Sequence, residues 1–196
     1  MSFYLPFTDI RARVSLWFFL TAGVALQLGE PRLLWYMLAP IIIHETGHII
    51  AILGCKARLV EIYITPIGIK LITRGDILPL GKDIIVALGG IAANLLVAGY
   101  LRFFEFQSMR VMMMVSTNLL VAAFNALPVG NLDGGRVVSL ICSRYLEPSS
   151  SRVVGNVISF VLLAPLSAFA GLLVLGSGNF SLAIICVYLA VVVVLS

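Results

Sequence analysis

Residues 33–54 read LLWYMLAPIIIHETGHIIAILG, an apolar run long enough to cross a bilayer, with two histidines and a glutamate set into it. The chain has no other histidine: both fall in the pentapeptide His44-Glu45-Thr46-Gly47-His48. On a helix, residues i and i+4 share a face one turn apart, so both imidazoles can reach a single ion while Glu45 is held beside it. The spacing suits zinc, whose catalytic sites take three protein ligands and keep a further position for water. Glu45 is then the general base, and the reaction implied is hydrolysis of a peptide bond. The plainer alternatives are polar glue between helices or a chance motif without metal. They must accept the cost of placing such groups in a span, roughly 2.5–3.5 kcal/mol for a charge at mid-bilayer.

The rest of the chain has the composition that such a run requires. Of its 196 residues, 61% are hydrophobic and 11% charged, against about 25% charged in soluble domains; the mean hydropathy is +1.10. Apolar spans are expected over about 14–29, 33–54, 83–101, 110–128, 153–175 and 180–196, in a single domain, 1–196, with its catalytic core near 35–145. The fold class expected is an all-α polytopic membrane protein of about six transmembrane helices.

The net charge of +4 comes from 13 basic and 9 acidic residues. The basic residues are scattered between apolar runs rather than gathered in a patch, which argues against nucleic acid. They report topology instead. With six spans, one side holds Arg11, Arg13, Lys56, Arg58, Lys70, Arg74, Lys82, Arg136, Arg144 and Arg152, and the other holds Arg32, Arg102 and Arg110. This bias puts both termini in the cytoplasm of a multi-pass protein, with a bacterial cytoplasmic membrane as the expected location. Cys55, Cys142 and Cys186 are odd in number and have no metal-ligand spacing, so a disulfide framework is not expected.

Between the second and third spans, residues 57–73 (ARLVEIYITPIGIKLIT) are rich in β-branched residues around Pro66 and Gly68 and predict two short strands joined by a turn. Open strand edges do not face lipid, so a small membrane-associated hairpin or sheet is expected at the interface or paired with an extended partner, of which a substrate segment is one candidate. Residues 129–135 (VGNLDGG) interrupt the chain after the fourth span, and RVVSLICSRYL after them predicts a short helix. Irregular backbone near membrane depth is tolerated where it is buried in protein or lines a wet cavity.

No histidine remains to supply a third ligand. In the orientation above, His48 lies about six residues, roughly 9 Å, from the cytoplasmic end of its span. The fourth span ends on the same side near Pro128, which brings Asp133 to comparable depth. Asp133 is therefore the candidate third ligand, and it reads equally well as a turn or N-cap aspartate.

These motifs resemble the site-2 protease family of intramembrane metalloproteases, which pairs HExxH on one transmembrane helix with an Asp in an N-P-D-G or L-D-G motif on a later one. The matching residues are HETGH at 44–48 and LPVGNLDGGRV at 127–137, with ALGGIAAN at 87–94 similar to the small-residue helix between them. The resemblance implies one zinc ion per chain on His44, His48 and Asp133, with Glu45 as the catalytic carboxylate. It also implies a sheet that binds substrate in extended form. The compact plan is similar to the branch that includes the stage IV sporulation FB protease, without its CBS domain, and that resemblance implies regulated intramembrane proteolysis of a transcription-factor precursor; Asn131 stands where those relatives commonly carry proline, and ATP regulation and a part in sporulation are not assumed from it.

Asn125, in FNALP, matches a polar position near that family's active site, where it would hydrogen-bond the substrate backbone or oxyanion; the alternative is interhelical glue. Asn94, among Gly89, Gly90, Ala92 and Ala93, reads as a packing and hydrogen-bonding residue between helices. The expected partners are a membrane-spanning or membrane-associated protein substrate and the lipid bilayer, with room for a second copy or a regulatory membrane protein. Two rival functions remain on this reading. A metal transporter predicts ligands spread over several helices, and a client-binding relative that does not cut has no need of Glu45.

Overall fold

A computed structural model of the chain describes residues 2–4, 11–14, 31–57, 59–65, 68–73, 78–104, 108–130, 132–178 and 180–195. The chain forms two compact units, Met1–Ala122 and Ala123–Ser196, which divide within a helix. The apolar span expected at 14–29 lies outside the described residues, apart from Val14.

The first unit is built on three helices and a sheet: α1 (Pro31–Gly54), α2 (Leu80–Phe104) and α3 (Met109–Ala126), whose last turn passes into the second unit. From Trp35 onward α1 is long and apolar enough to span a bilayer, as are α2 and α3. Pro40 lies inside α1, where the missing N–H leaves one carbonyl of the preceding turn without its helical donor, a defect that spans accommodate. The helix closes in a Schellman turn: Lys56 N donates to Leu53 O (2.9 Å) and Ala57 N to Ile52 O (3.0 Å). Lys56 occupies the left-handed position of that turn, at φ 58°, where glycine is usual.

Small residues let α1 and α2 touch. A Cβ on Gly89 would lie 2.7 Å from the Gly47 carbonyl oxygen and 2.8 Å from Ala51 Cβ, and one on Gly47 would collide with the Gly89 carbonyl. Gly47/Ala51 and Gly89/Ala93 thus form a small-residue crossing of the kind that drives helix association in lipid. Ile52, Cys55 and Val86 close a small core at the end of α1.

The two strands expected within 57–73 are present as β3 (Leu59–Thr65) and β4 (Gly68–Thr73), antiparallel, with an irregularity between Leu59 and Glu61. They belong to a larger sheet. β1 (Ser2–Tyr4) and β2 (Arg11–Val14) extend it in the order β1-β2-β3-β4, with β2 parallel to β3. The Arg13 guanidinium meets the Glu61 carboxylate at 3.1 Å and lies over the Tyr63 ring at 5.8 Å, tying the N-terminal segment to β3. Strands of three and four residues are too short to leave a pattern in the sequence, and for that reason β1 and β2 were not expected.

The second unit carries the turn 127–130, then α4 (Asp133–Tyr145), α5 (Pro148–Ser177) and α6 (Ser181–Leu195). Val129, Leu163, Leu189 and Val193 form its core, with Phe124, Leu127 and Leu132 packed against them. The turn folds back tightly: Gly130 N donates to Ser159 Oγ (3.1 Å), and Gly134 and Gly135 sit against the carbonyls of residues 126–130 with no room for a side chain. The short helix expected after VGNLDGG is α4. Proline at N1 starts α5 five residues before the span read from hydropathy, and Gly178 in the left-handed conformation ends it. Among the described residues, four helices are long and apolar enough to cross a membrane. The fifth apolar helix, α6, has 15 residues, or about 22 Å of rise. Trp35, Ile42, Phe103, Phe104, Met112 and Leu172 are exposed apolar side chains on these helices, a surface suited to lipid rather than water.

Candidate metal centre

HETGH lies within α1, and the helix places its two imidazoles one turn apart on the side that packs against α2. Both are buried, His44 at 5% and His48 at 8% of full exposure. Their Nε2 atoms face each other at 3.1 Å. The opposite nitrogens are held separately: His44 Nδ1 lies 2.8 Å from Asn94 Oδ1, and His48 Nδ1 lies 2.7 Å from the Val86 carbonyl oxygen. A backbone carbonyl only accepts, so His48 Nδ1 carries the proton and donates it. With Nδ1 protonated, the neutral ring presents an Nε2 lone pair.

With both rings neutral and protonated at Nδ1, two lone pairs face each other across 3.1 Å and repel unless a cation lies against both. Two nitrogens bound to one tetrahedral zinc at about 2.05 Å are about 3.3 Å apart, close to the separation found here. Gly90 clears the space beside the pair. A Cβ at that position would lie 2.6 Å from His44 Cε1, His44 Nε2 and His48 Nε2. Histidines whose Nδ1–H groups are bound to oxygen acceptors, with Nε2 atoms converging on a space kept open by glycine, fit a metal ion.

Glu45 follows His44 on α1 and is partly buried, beside the imidazole pair in sequence. Asp133 belongs to the second unit. It is the first residue of α4, with Leu132 at the N-cap and no side-chain cap, so it does not serve as the N-cap. Its Oδ2 is buried. Asn125 is partly buried on the last turn of α3, also in the second unit.

Four residues around the histidines were not given a part in the site by the sequence. Val86 acts through its carbonyl, which no side-chain pattern announces. Gly90 was noted only as a small packing residue. Asn94 does join helices, as its surroundings suggested, and it also holds His44. Asn118, on α3, hydrogen-bonds Asn94 at 2.9 Å. A usable signal was present: Asn94 and Asn118 are amides inside apolar spans, where a polar group without a partner is costly.

Residues 105–169, which include Asn125 and Asp133, match the family model of peptidase family M50. No curated protein matches the sequence. Among solved structures, the chain is similar to the site-2 protease from Methanocaldococcus jannaschii, with a TM-score of 0.68 and 18% identity over 100% of this chain and 94% of that one. The chain therefore has the fold of that site-2 protease, and about a third of it matches a peptidase family. Among the described residues, four helices are long and apolar enough to cross a membrane, as an integral-membrane protein of that fold requires.

Proposed function

We propose that the chain is a zinc endopeptidase that cuts a membrane-spanning or membrane-associated protein, with His44, His48 and Asp133 as the ligands of one zinc ion and Glu45 as the catalytic base. The observation that carries it is the opposition of two buried Nε2 atoms at 3.1 Å, each on a ring whose other nitrogen is held by an oxygen acceptor. His44 and His48 belong to the first unit and Asp133 to the second. Two imidazoles and a carboxylate are a donor set that catalytic zinc takes.

When bound, zinc polarises the scissile carbonyl and makes water nucleophilic near neutral pH. The protein's residues do the remainder. Glu45 takes a proton from the attacking water and passes it to the amide nitrogen that leaves. Asn125 donates its side-chain amide to the substrate backbone or to the developing oxyanion.

A helical substrate shields its carbonyls within its own hydrogen bonds, so it must be drawn out before attack. β4 is an edge of the sheet among the described residues, and its outer backbone groups suit the addition of an extended strand. The two units act as one catalytic domain, with both termini in the cytoplasm of a bacterial cell and water reaching the metal from that side. Metal analysis of purified protein tests the ligand set. One zinc per chain is expected in the wild type and in Glu45→Gln, with loss in His44→Ala/His48→Ala and in Asp133→Ala. Full retention in the double histidine variant removes the site.

A further inference from the structure

We infer that Asn94 and Asn118 are positioning residues that decide which nitrogen of His44 carries its proton, and through that choice set the affinity of the site for metal. The inference rests on the metal reading above. His48 and His44 are oriented by different means. His48 leans on a backbone carbonyl, which mutation cannot remove; His44 leans on an amide, which can turn over and present either oxygen or NH2.

The hydrogen-bond inventory fixes that amide. It begins at a carbonyl on α3: Met114 O can only accept, so the group 2.7 Å from it is the NH2 of Asn118. Asn118 Oδ1 is therefore left to accept, and it does so from Asn94 Nδ2 at 2.9 Å. The second hydrogen of that same Nδ2 goes to the Pro40 carbonyl, also at 2.9 Å. Both amide hydrogens of Asn94 are thus committed, and the atom facing His44 Nδ1 at 2.8 Å is an oxygen. His44 therefore donates from Nδ1, and in the neutral ring it is Nε2 that carries the lone pair a metal would take.

Reversing either amide sets oxygen against oxygen or hydrogen against hydrogen. Asn94 and Asn118 are both fully buried, so water cannot repair the mismatch. Three helices contribute to this one tautomer: α3 through Asn118, α2 through Asn94, and α1 through Pro40 and His44. Pro40 supplies an acceptor four residues before His44 on the same helix, which holds the amide from a second side. The relay contains no ionised group, so it orients the ligand without adding charge to the span.

The chain's two histidines make the test direct. Protein labelled with 15N-histidine and purified on a histidine-free tag has four ring nitrogens in all, and 15N shifts separate protonated from unprotonated ones. The metal-free wild type is expected to show His44 protonated at Nδ1. Asn94→Leu is expected to lose that preference and to bind zinc roughly 10- to 100-fold more weakly in a chelator competition. Asn118→Leu is expected near the lower end, about 10-fold, because the Pro40 carbonyl still holds Asn94.

Asn94→Leu/Asn118→Leu completes a double-mutant cycle. With the amide that holds His44 already gone, adding Asn118→Leu should cost no further affinity, whereas two independent structural effects would add. Wild-type His44 protonated at Nε2, or Asn94→Leu with wild-type tautomer and zinc affinity, overturns the inference. Should Asn94→Leu fail to fold, the wild-type spectrum and Asn118→Leu still decide it. Zinc binding unchanged in His44→Ala/His48→Ala would instead overturn the metal reading.

Discussion

Gly47 of α1 and Gly89 of α2 meet backbone to backbone, and that contact places the histidine pair. Gly47 is the fourth residue of HETGH, so the crossing point of the helices lies inside the motif, with His44 on one side and His48 on the other. Gly47→Ala puts a methyl group against the Gly89 carbonyl and pushes the helices apart. Overpacking of this kind costs about 1–3 kcal/mol. Thermal unfolding in detergent should show a lowered midpoint together with weakened zinc binding. A variant as stable and as well loaded as the wild type contradicts the close crossing.

Gly90 separates metal binding from folding. Alanine in its place meets His44 and His48 at 2.6 Å, while the helix itself gains about 1 kcal/mol from the better helix former. Gly90→Ala should therefore keep the fold and lose at least about tenfold in zinc affinity, since the rings cannot retreat without breaking their Nδ1 hydrogen bonds. Unchanged affinity by chelator competition would mean that the space beside the rings is not where the ion sits.

At Lys56 the expectation runs the other way. A lysine at φ 58° bears the left-handed penalty that glycine avoids. Lys56→Gly should raise stability by up to about 1 kcal/mol, offset in part by glycine's greater freedom in the unfolded chain and by loss of whatever the side chain contributes. Cleavage activity should not change. Destabilisation in a melting experiment would show that the Schellman turn at the end of α1 is not formed as described.

The apolar runs gave the helices α1, α2, α3 and α5 to within a few residues, because a span must be apolar for its whole length and little else in the sequence imitates that. HETGH gave the histidine pair, because the two imidazoles and their i, i+4 spacing are local. Residues 57–73 gave β3 and β4 for a similar reason: runs of β-branched residues and a Pro/Gly break are adjacent in the chain. What escaped was non-local. The pairing of Arg11–Val14 with β3 joins segments about fifty residues apart, and its side-chain contacts, Arg13 with Glu61 and with the Tyr63 ring, are not readable from either segment alone. The supports of the histidines come from α2 and α3, and one of them is a backbone carbonyl. Asp133 is a borderline case: the topology count made it a candidate ligand at even odds with a turn or N-cap aspartate, and the family resemblance tipped that balance.

Glu45 is the residue on which the proposed chemistry turns, and cleavage of a candidate membrane substrate by wild type and Glu45→Gln at equal zinc content tests it most directly. Loss of a positioned general base costs about 100- to 10,000-fold, so the variant should bind zinc normally and cut at least about a hundredfold more slowly. Cleavage by Glu45→Gln at the wild-type rate would contradict the mechanism.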